Sequence, residues 1–138
     1  MSDEFDFVFG CKLVYLPRFE DERGYLSVLT PEGIGNIPYV YHSVTFIHQS
    51  RDTDKWHMHK KHTDRFVVLR GKAMFYLSDG TTFKWIAMSE PCRMLIVPPG
   101  VWHRFQNIGE ESLEVVNLPD AVYDPDDEFR IPIGVGDA

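Results

Sequence analysis

Apolar and polar positions along the chain alternate in short runs, and the runs are cut by turn-forming residues. Residues 11–16 form a brief apolar run closed by Pro17. Asp21-Glu22-Arg23-Gly24 reads as a turn, and residues 25–29 follow as a strand. Residues 30–38 hold two glycines and two prolines, so they read as a loop. Residues 39–48 are rich in aromatic and β-branched side chains and predict a strand. Its even-numbered positions are Val40, His42, Val44, Phe46 and His48, a face apolar enough to be a candidate inner face. Residues 49–55 are polar. Residues 57–69 hold one or two strands before a bend at Gly71. Strands are expected at 72–77, 81–88, 93–97, 101–107 and 113–118, with Asp79-Gly80 as a hairpin turn. Residues 120–130 are acidic and suit a short helical turn or an arm. No long segment carries a helical period. Many short strands between glycine and proline turns predict an all-β barrel or sandwich.

Composition narrows this without changing it. At 138 residues the chain has the length of one domain, 1–138, and its 43% hydrophobic content is enough to fill a core. A net charge of -7 argues against nucleic acid or an anionic membrane surface as a general partner. Cys11 and Cys92 are far apart and in no metal-binding spacing. The acidic start lacks the basic region of a signal peptide, and no apolar run reaches membrane-spanning length, so a cytoplasmic protein is expected.

The chemistry concentrates in Trp56-His57-Met58-His59-Lys60-Lys61-His62. Residues two apart on a strand share a face, so His57 and His59 are expected to project together. His62 has the wrong parity to join them on one strand and is expected outside. His103 follows the turn Pro98-Pro99-Gly100 on a separate strand. His57, His59, Asp64 and His103 could enclose one divalent metal ion. They equally suit proton transfer, since imidazole titrates near neutrality. A polar barrel mouth whose histidines satisfy one another is the third possibility. A bend between residues 60 and 63 would bring Asp64 to the same side as the histidines.

His57-x-His59-x4-Asp64-x6-Gly71 resembles the first cupin motif, with Asp64 where that motif usually has Glu. Pro98-x-Gly100-x2-His103-x3-Asn107 resembles the second. The resemblance implies a cupin-type jelly-roll β-barrel. Asp21-x-Arg23-Gly24 resembles a segment of the dTDP-4-dehydrorhamnose 3,5-epimerases. The run from Trp56 to Gly71 resembles the dTDP-sugar 3,4-ketoisomerases. Tyr123-Asp124-Pro125-Asp126-Asp127-Glu128 resembles the acidic segment that follows the last barrel strand of the epimerases.

The resemblance implies metal-independent proton transfer beside the C4 ketone of a nucleotide-linked 4-keto-6-deoxy sugar. His57 is implied as the base, with His59 and His103 polarising or shuttling. Arg23 is implied as a phosphate contact, and Lys55 and Arg65 are further candidates for binding the substrate. A homodimer is also implied, with residues 5–14 a candidate for pairing between subunits. The arginine and glycine that precede the family's histidine are replaced by Asp54-Lys55, and the epimerases' acid tyrosine falls near Asn117. Tyr41 and Tyr76 are candidates to replace that tyrosine. The alternatives are a metal-binding cupin using His57, His59, Asp64 and His103, and a sugar-binding cupin without catalysis.

Overall fold

The computed structural model describes residues 4–51 and 55–132. Among these residues thirteen strands fold into two facing antiparallel sheets and one hairpin. The larger sheet runs β1 (Glu4–Asp6), β2 (Lys12–Tyr15), β10 (Arg93–Val97), β7 (Asp64–Arg70), β12 (Leu113–Asn117), β5 (Tyr41–Thr45). The smaller runs β13 (Phe129–Pro132), β6 (Lys55–Met58), β11 (Trp102–Asn107), β8 (Ala73–Ser78), β9 (Phe83–Met88). The hairpin is β3 (Arg18–Asp21) with β4 (Gly24–Ser27). This is the expected all-β architecture, realised as an open jelly-roll sandwich rather than a barrel closed by one continuous ladder. Among the described residues the only helical element is a 3-10 turn, Pro125–Asp127, and no helix is long and apolar enough to cross a membrane.

The alternation of β7 explains the layering. Asp64, Phe66 and Val68 point between the sheets. Arg65, Val67 and Leu69 point to the outer face. Phe66 and Val68 join Phe75, Leu77, Leu95, Phe105 and Val115 in the main core. Val67 joins Val14, Met94, Val116 and Leu118 in a second cluster, which Leu29, Ile34 and Ile37 cover from the loop before β5. Both faces of β7 are therefore covered over residues 66–69, which is why that stretch is a continuous apolar run. Arg65 sits on the outer, loop-covered side. Its guanidinium donates to the carbonyls of Leu118, Ile34 and Asn36 and ties the loop across the sheet.

Two turns fix the frame around the site. Gly71 has a φ of 88°, and a Cβ there would lie 2.9 Å from the Ser112 carbonyl oxygen. Glycine is required on both counts. The Gly100 amide donates to the His59 carbonyl at 2.8 Å, which binds the proline–glycine turn to the end of the histidine strand.

Residues 5–14, the candidate for pairing with a second subunit, form a hairpin that leaves β1 at an edge of the larger sheet. Phe5 and its neighbours in β1 pair with β2 of the same chain, Phe5 opposite Leu13.

Candidate functional site

A cavity of about 300 Å³ opens between the sheets, and His57, His59, His62, Asp64, His103 and Glu128 meet in it. Phe66, Phe75 and Phe105 pack with ring centroids 5.2–6.0 Å apart beneath the polar groups, and Phe66 lies 5.8 Å from the His103 ring. An apolar floor lowers the local dielectric and strengthens the charge interactions above it.

His57 and His103 are direct cross-strand partners on β6 and β11. β6 ends at Met58, and the chain bends before β7 begins at Asp64. The Asp127 carboxylate holds this bend by accepting the Lys60 and Lys61 amides at 2.8 and 2.9 Å. Asp127 is placed by the 3-10 turn, whose first residues are capped by the Asp124 side chain. The bend brings Asp64 under the histidines, as its motif position requires. It also turns His62 inward, so the expectation that His62 lies outside is corrected: its ring is buried and stacks on His59 at 4.1 Å. Strand parity failed there because the strand had already ended.

Asp64 is the hub of one half of the site. Its Oδ1 lies 3.1 Å from His62 Nε2 and accepts from Asn117 Nδ2 at 3.0 Å. Its Oδ2 lies 3.2 Å from His103 Nε2 and 3.6 Å from His59 Nε2. Burial alone would raise this carboxyl, but the hydrogen bonds from His103, His62 and Asn117 outweigh it and hold Asp64 ionised far below the usual carboxylate range. The His62 imidazole is raised, chiefly by its hydrogen bond to Asp64 and against the effect of burial. The His59 imidazole is lowered, chiefly by burial and despite the nearby Asp64.

Backbone carbonyls set two tautomers, since a carbonyl only accepts. His59 Nδ1–H donates to Asp127 at 2.7 Å, and His103 Nδ1–H donates to Val101 at 3.1 Å. With a carbonyl at one nitrogen and the Asp64 carboxylate at the other, the His103 ring is surrounded by acceptors on both sides.

Glu128 organises the other half. Its Oε1 lies 3.5 Å from His57 Nδ1 and accepts from Arg130 at 2.7 Å. Its Oε2 accepts from the Tyr123 hydroxyl at 2.9 Å. Burial would raise Glu128, but the Tyr123 and Arg130 hydrogen bonds prevail and lower it. Tyr123 is correspondingly raised by that hydrogen bond.

The remaining expectations separate cleanly. His57, His59 and His103 share the cavity. Of the four donors His57, His59, Asp64 and His103, the Asp64 carboxylate lies 3.6 Å from His59 Nε2 and 3.2 Å from His103 Nε2, while His57 Nδ1 stands 3.5 Å from Glu128. Among the described residues, donor atoms of His59, His62 and Asp64 lie within 4.8 Å of one another. Arg65, expected to support an anion there, is on the outer side of β7, engaged by three carbonyls. Arg23 is 84% exposed at the hairpin turn and pairs with Asp21 at 2.6 Å, away from the cavity lining. Lys55 is exposed at the start of β6 and does not line the cavity.

β5 presents its odd-numbered residues inward: Tyr41 and Ser43 line the cavity, and Thr45 is buried. The apolar even face is outside, with Val44 41% and Phe46 70% exposed, and His42 meets Glu114 at 3.2 Å there. Tyr41 is thus placed in the cavity. Tyr76 instead stacks under Arg104, 4.6 Å from its ring, on the outer face of the smaller sheet. Asn117 supports Asp64 from the position aligned with the epimerases' tyrosine. Sequence reasoning missed Glu128, Asp127, Tyr123 and Arg51. The first three lie within an acidic segment whose resemblance was visible, while Arg51 carried no local signal.

Residues 9–131 match the family model described as FdtA: WxcM-like, C-terminal. A relative from Aneurinibacillus thermoaerophilus, named TDP-4-oxo-6-deoxy-alpha-D-glucose-3,4-oxoisomerase, is 29% identical over 121 residues, spanning 86% of this chain and 85% of its own. Among solved structures, the WlaRB TDP-quinovose 3,4-ketoisomerase from Campylobacter jejuni superposes with a TM-score of 0.78 at 23% identity, covering 90% of this chain and 95% of that one. A dTDP sugar isomerase from Desulfovibrio desulfuricans G20 superposes with a TM-score of 0.82 at 22% identity, covering 92% and 87%. These likenesses show a shared fold. The match over nearly the whole chain settles the family: this protein belongs to the FdtA (WxcM-like, C-terminal) family.

Proposed function

We propose that the protein is an isomerase of a nucleotide-linked 4-keto-6-deoxy sugar, moving a proton from the carbon beside the C4 ketone without a metal. The observation that carries this reading is the pair of histidine–carboxylate arrangements built on adjacent strands, His57 with Glu128 and His103 with Asp64, over one apolar floor. The name of the 29% identical relative supports the same substrate class.

A 4-keto sugar carries an acidic hydrogen on C3. His57 removes it, and Glu128 stabilises the imidazolium that forms. The C–H electron pair becomes the C3–C4 double bond, and the C4 oxygen takes up the displaced charge. His103, facing Asp64, supplies a proton to that oxygen and gives an enediol. Return of a proton to C4, with loss of the O3 proton, leaves the ketone at C3. Return to the opposite face of C3 would give an epimer instead. His59, kept neutral by burial, is suited to pass protons between the two halves. Tyr41, on the inner face of β5, is the candidate hydroxyl for holding the enolate oxygen.

The test is proton exchange. Incubation of dTDP-4-keto-6-deoxyglucose with the protein in deuterated water should place deuterium beside the ketone, read by NMR. His57→Asn should slow this by about 10²–10⁴-fold, the usual worth of a general base. No deuterium uptake by the wild-type protein would leave the sugar-binding reading. Elemental analysis tests metal independence: stoichiometric bound metal, lost in His59→Ala, would overturn it.

The same reading includes a homodimer. β5 is an edge strand with exposed Val44 and Phe46, and the β3–β4 hairpin exposes Phe19, Tyr25 and Leu26. Such surfaces call for a cover. Sedimentation equilibrium should give twice the chain mass; a monomer mass at micromolar concentration would remove the dimer from the reading.

A further inference from the structure

We infer that Arg51 is the residue of this site that binds the diphosphate of the ligand, placing that group at the open mouth while the sugar enters between His57 and His103. The inference rests on the nucleotide-sugar reading above and specifies how such a ligand is anchored in this chain.

The first ground is charge. The fixed charges lining the cavity are the carboxylates of Asp64 and Glu128 and the guanidinium of Arg51. Among the described lining residues Arg51 is the one permanent cation. The chain carries a net charge of -7, so an anionic ligand gains nothing from the overall field. Arg65 is consumed by the loop carbonyls, and Arg23 and Lys55 lie off the lining. An anion entering this cavity therefore meets its positive charge at Arg51.

The second ground is placement. After β5 the chain turns at His48, whose φ of 65° lies in the left-handed region. It then runs back beside β11. The Gln49 carbonyl accepts the Asn107 amide at 3.1 Å, Ser50 bridges Gln106, and the Ser50 hydroxyl donates to the Phe105 carbonyl at 2.9 Å. These bonds pin the backbone one residue before Arg51 against the strand that carries His103. Arg51 then reaches the lining while remaining exposed, which puts it at the rim.

The third ground is size. A cavity of about 300 Å³ is at the small end of ligand sites. It takes a deoxyhexose, and the nucleotide must extend past the rim. The diphosphate, which joins the two, falls at the rim. A guanidinium suits it because the planar fork can engage two phosphate oxygens at once.

Calorimetric titration separates this inference from the reading beneath it. The probes are thymidine diphosphate and thymidine, with wild-type protein, Arg51→Ala and Arg51→Lys. The wild type should bind the diphosphate more tightly than the nucleoside, and less tightly as salt rises. Arg51→Ala should lose about tenfold or more of the diphosphate affinity, the worth of a charge-assisted hydrogen-bond pair. Thymidine binding should be unchanged, and Arg51→Lys should recover part of the loss. Equal diphosphate affinity in wild type and Arg51→Ala overturns the role of Arg51 alone. A fall in turnover of Arg51→Ala with diphosphate affinity intact also overturns it, assigning the guanidinium to the enolate instead. Failure of the wild type to bind either probe overturns the nucleotide-sugar reading itself.

Discussion

The two carboxylates of the site do the same kind of work in unequal surroundings. Asp64 is nearly sealed at 4% exposure, and both of its oxygens face histidines or the Asn117 amide. Glu128 sits nearer the mouth, shares itself with Tyr123 and Arg130, and stands a looser 3.5 Å from His57. Asp64 belongs to β7, the central strand buried on both faces. Glu128 follows a 3-10 turn held by the bonds of Asp127 to the bend at residues 59–61 and by the last short strand, β13. The difference assigns distinct tasks. A saturated, buried carboxylate fixes geometry and holds charge, so removing it should damage the fold. A partly open carboxylate with one loose histidine leaves that ring room to gain and lose a proton, so removing it should damage the reaction.

The largest expected effect is on stability. Asp64→Ala strips a buried acceptor from His62, His103 and Asn117 together. Breaking a buried charged arrangement by removing one partner costs roughly 3–5 kcal/mol. Urea unfolding should show a loss of that order. Asp64→Asn, which keeps the shape but not the charge, should recover only part of it. A loss below about 1 kcal/mol in Asp64→Ala, the size of a surface ion pair, would break the contrast with Glu128.

The second effect is on rate. Glu128→Gln keeps the size and the hydrogen bond from Tyr123 but removes the charge that stabilises the His57 imidazolium. Exchange at the carbon beside the ketone should fall about tenfold, a fraction of the base's own contribution, with unfolding free energy changed by less than about 1 kcal/mol. Glu128 acts through His57, so the pH–rate profile should shift with it: the acidic limb, set by His57 as the base, moves to lower pH when the carboxylate no longer favours the charged ring. An unshifted profile would reduce Glu128 to a packing role.

How much of this was written in the sequence differs from one element to the next. The strand and turn pattern was legible because each turn carries its own chemistry, as at Gly71 and Pro98-Pro99-Gly100. His57, His59 and His103 were legible because their motif spacing survives the fold. The inner face of β5 was not. Hydrophobicity pointed to Val40, Val44 and Phe46, yet β5 is an edge strand whose apolar face is outside, and the inner face is Tyr41, Ser43 and Thr45. Pattern reports how apolar a face is, not which side of the sheet it takes. Arg65 misled for a related reason: Lys60 and Lys61 stand a few residues before it, but its parity on β7 sends it to the loop side. His62 and Asp127 were hidden because each depends on the other. The bend that turns His62 inward is held by a carboxylate 65 positions later in the chain (His62 to Asp127), and no local rule connects them.

The smallest effect is also the sharpest probe of the Asp64 hub, because it reads one proton. His62 has its folded value raised by Asp64, so the stabilisation from its proton is present in full below the unfolded histidine value of about 6.5. It is lost as pH rises through the higher folded value. Asp64 is lowered, so its own contribution is present above about 3.9 and lost only as pH falls well below that, outside this range. His59 is also lowered; above about 6.5 it is neutral whether folded or unfolded, and its cost appears only in more acidic solution. Thermal unfolding of wild type and His62→Gln between about pH 6.5 and 9 therefore isolates one group. The wild type should be the more stable at the acidic end, and its advantage should narrow steadily towards the basic end. A difference that stays flat across this range would mean that His62 carries no extra proton in the fold. Asp64 would then be balanced by His103 and Asn117, with His59 at 3.6 Å, and its contrast with Glu128 would rest on one charged partner fewer.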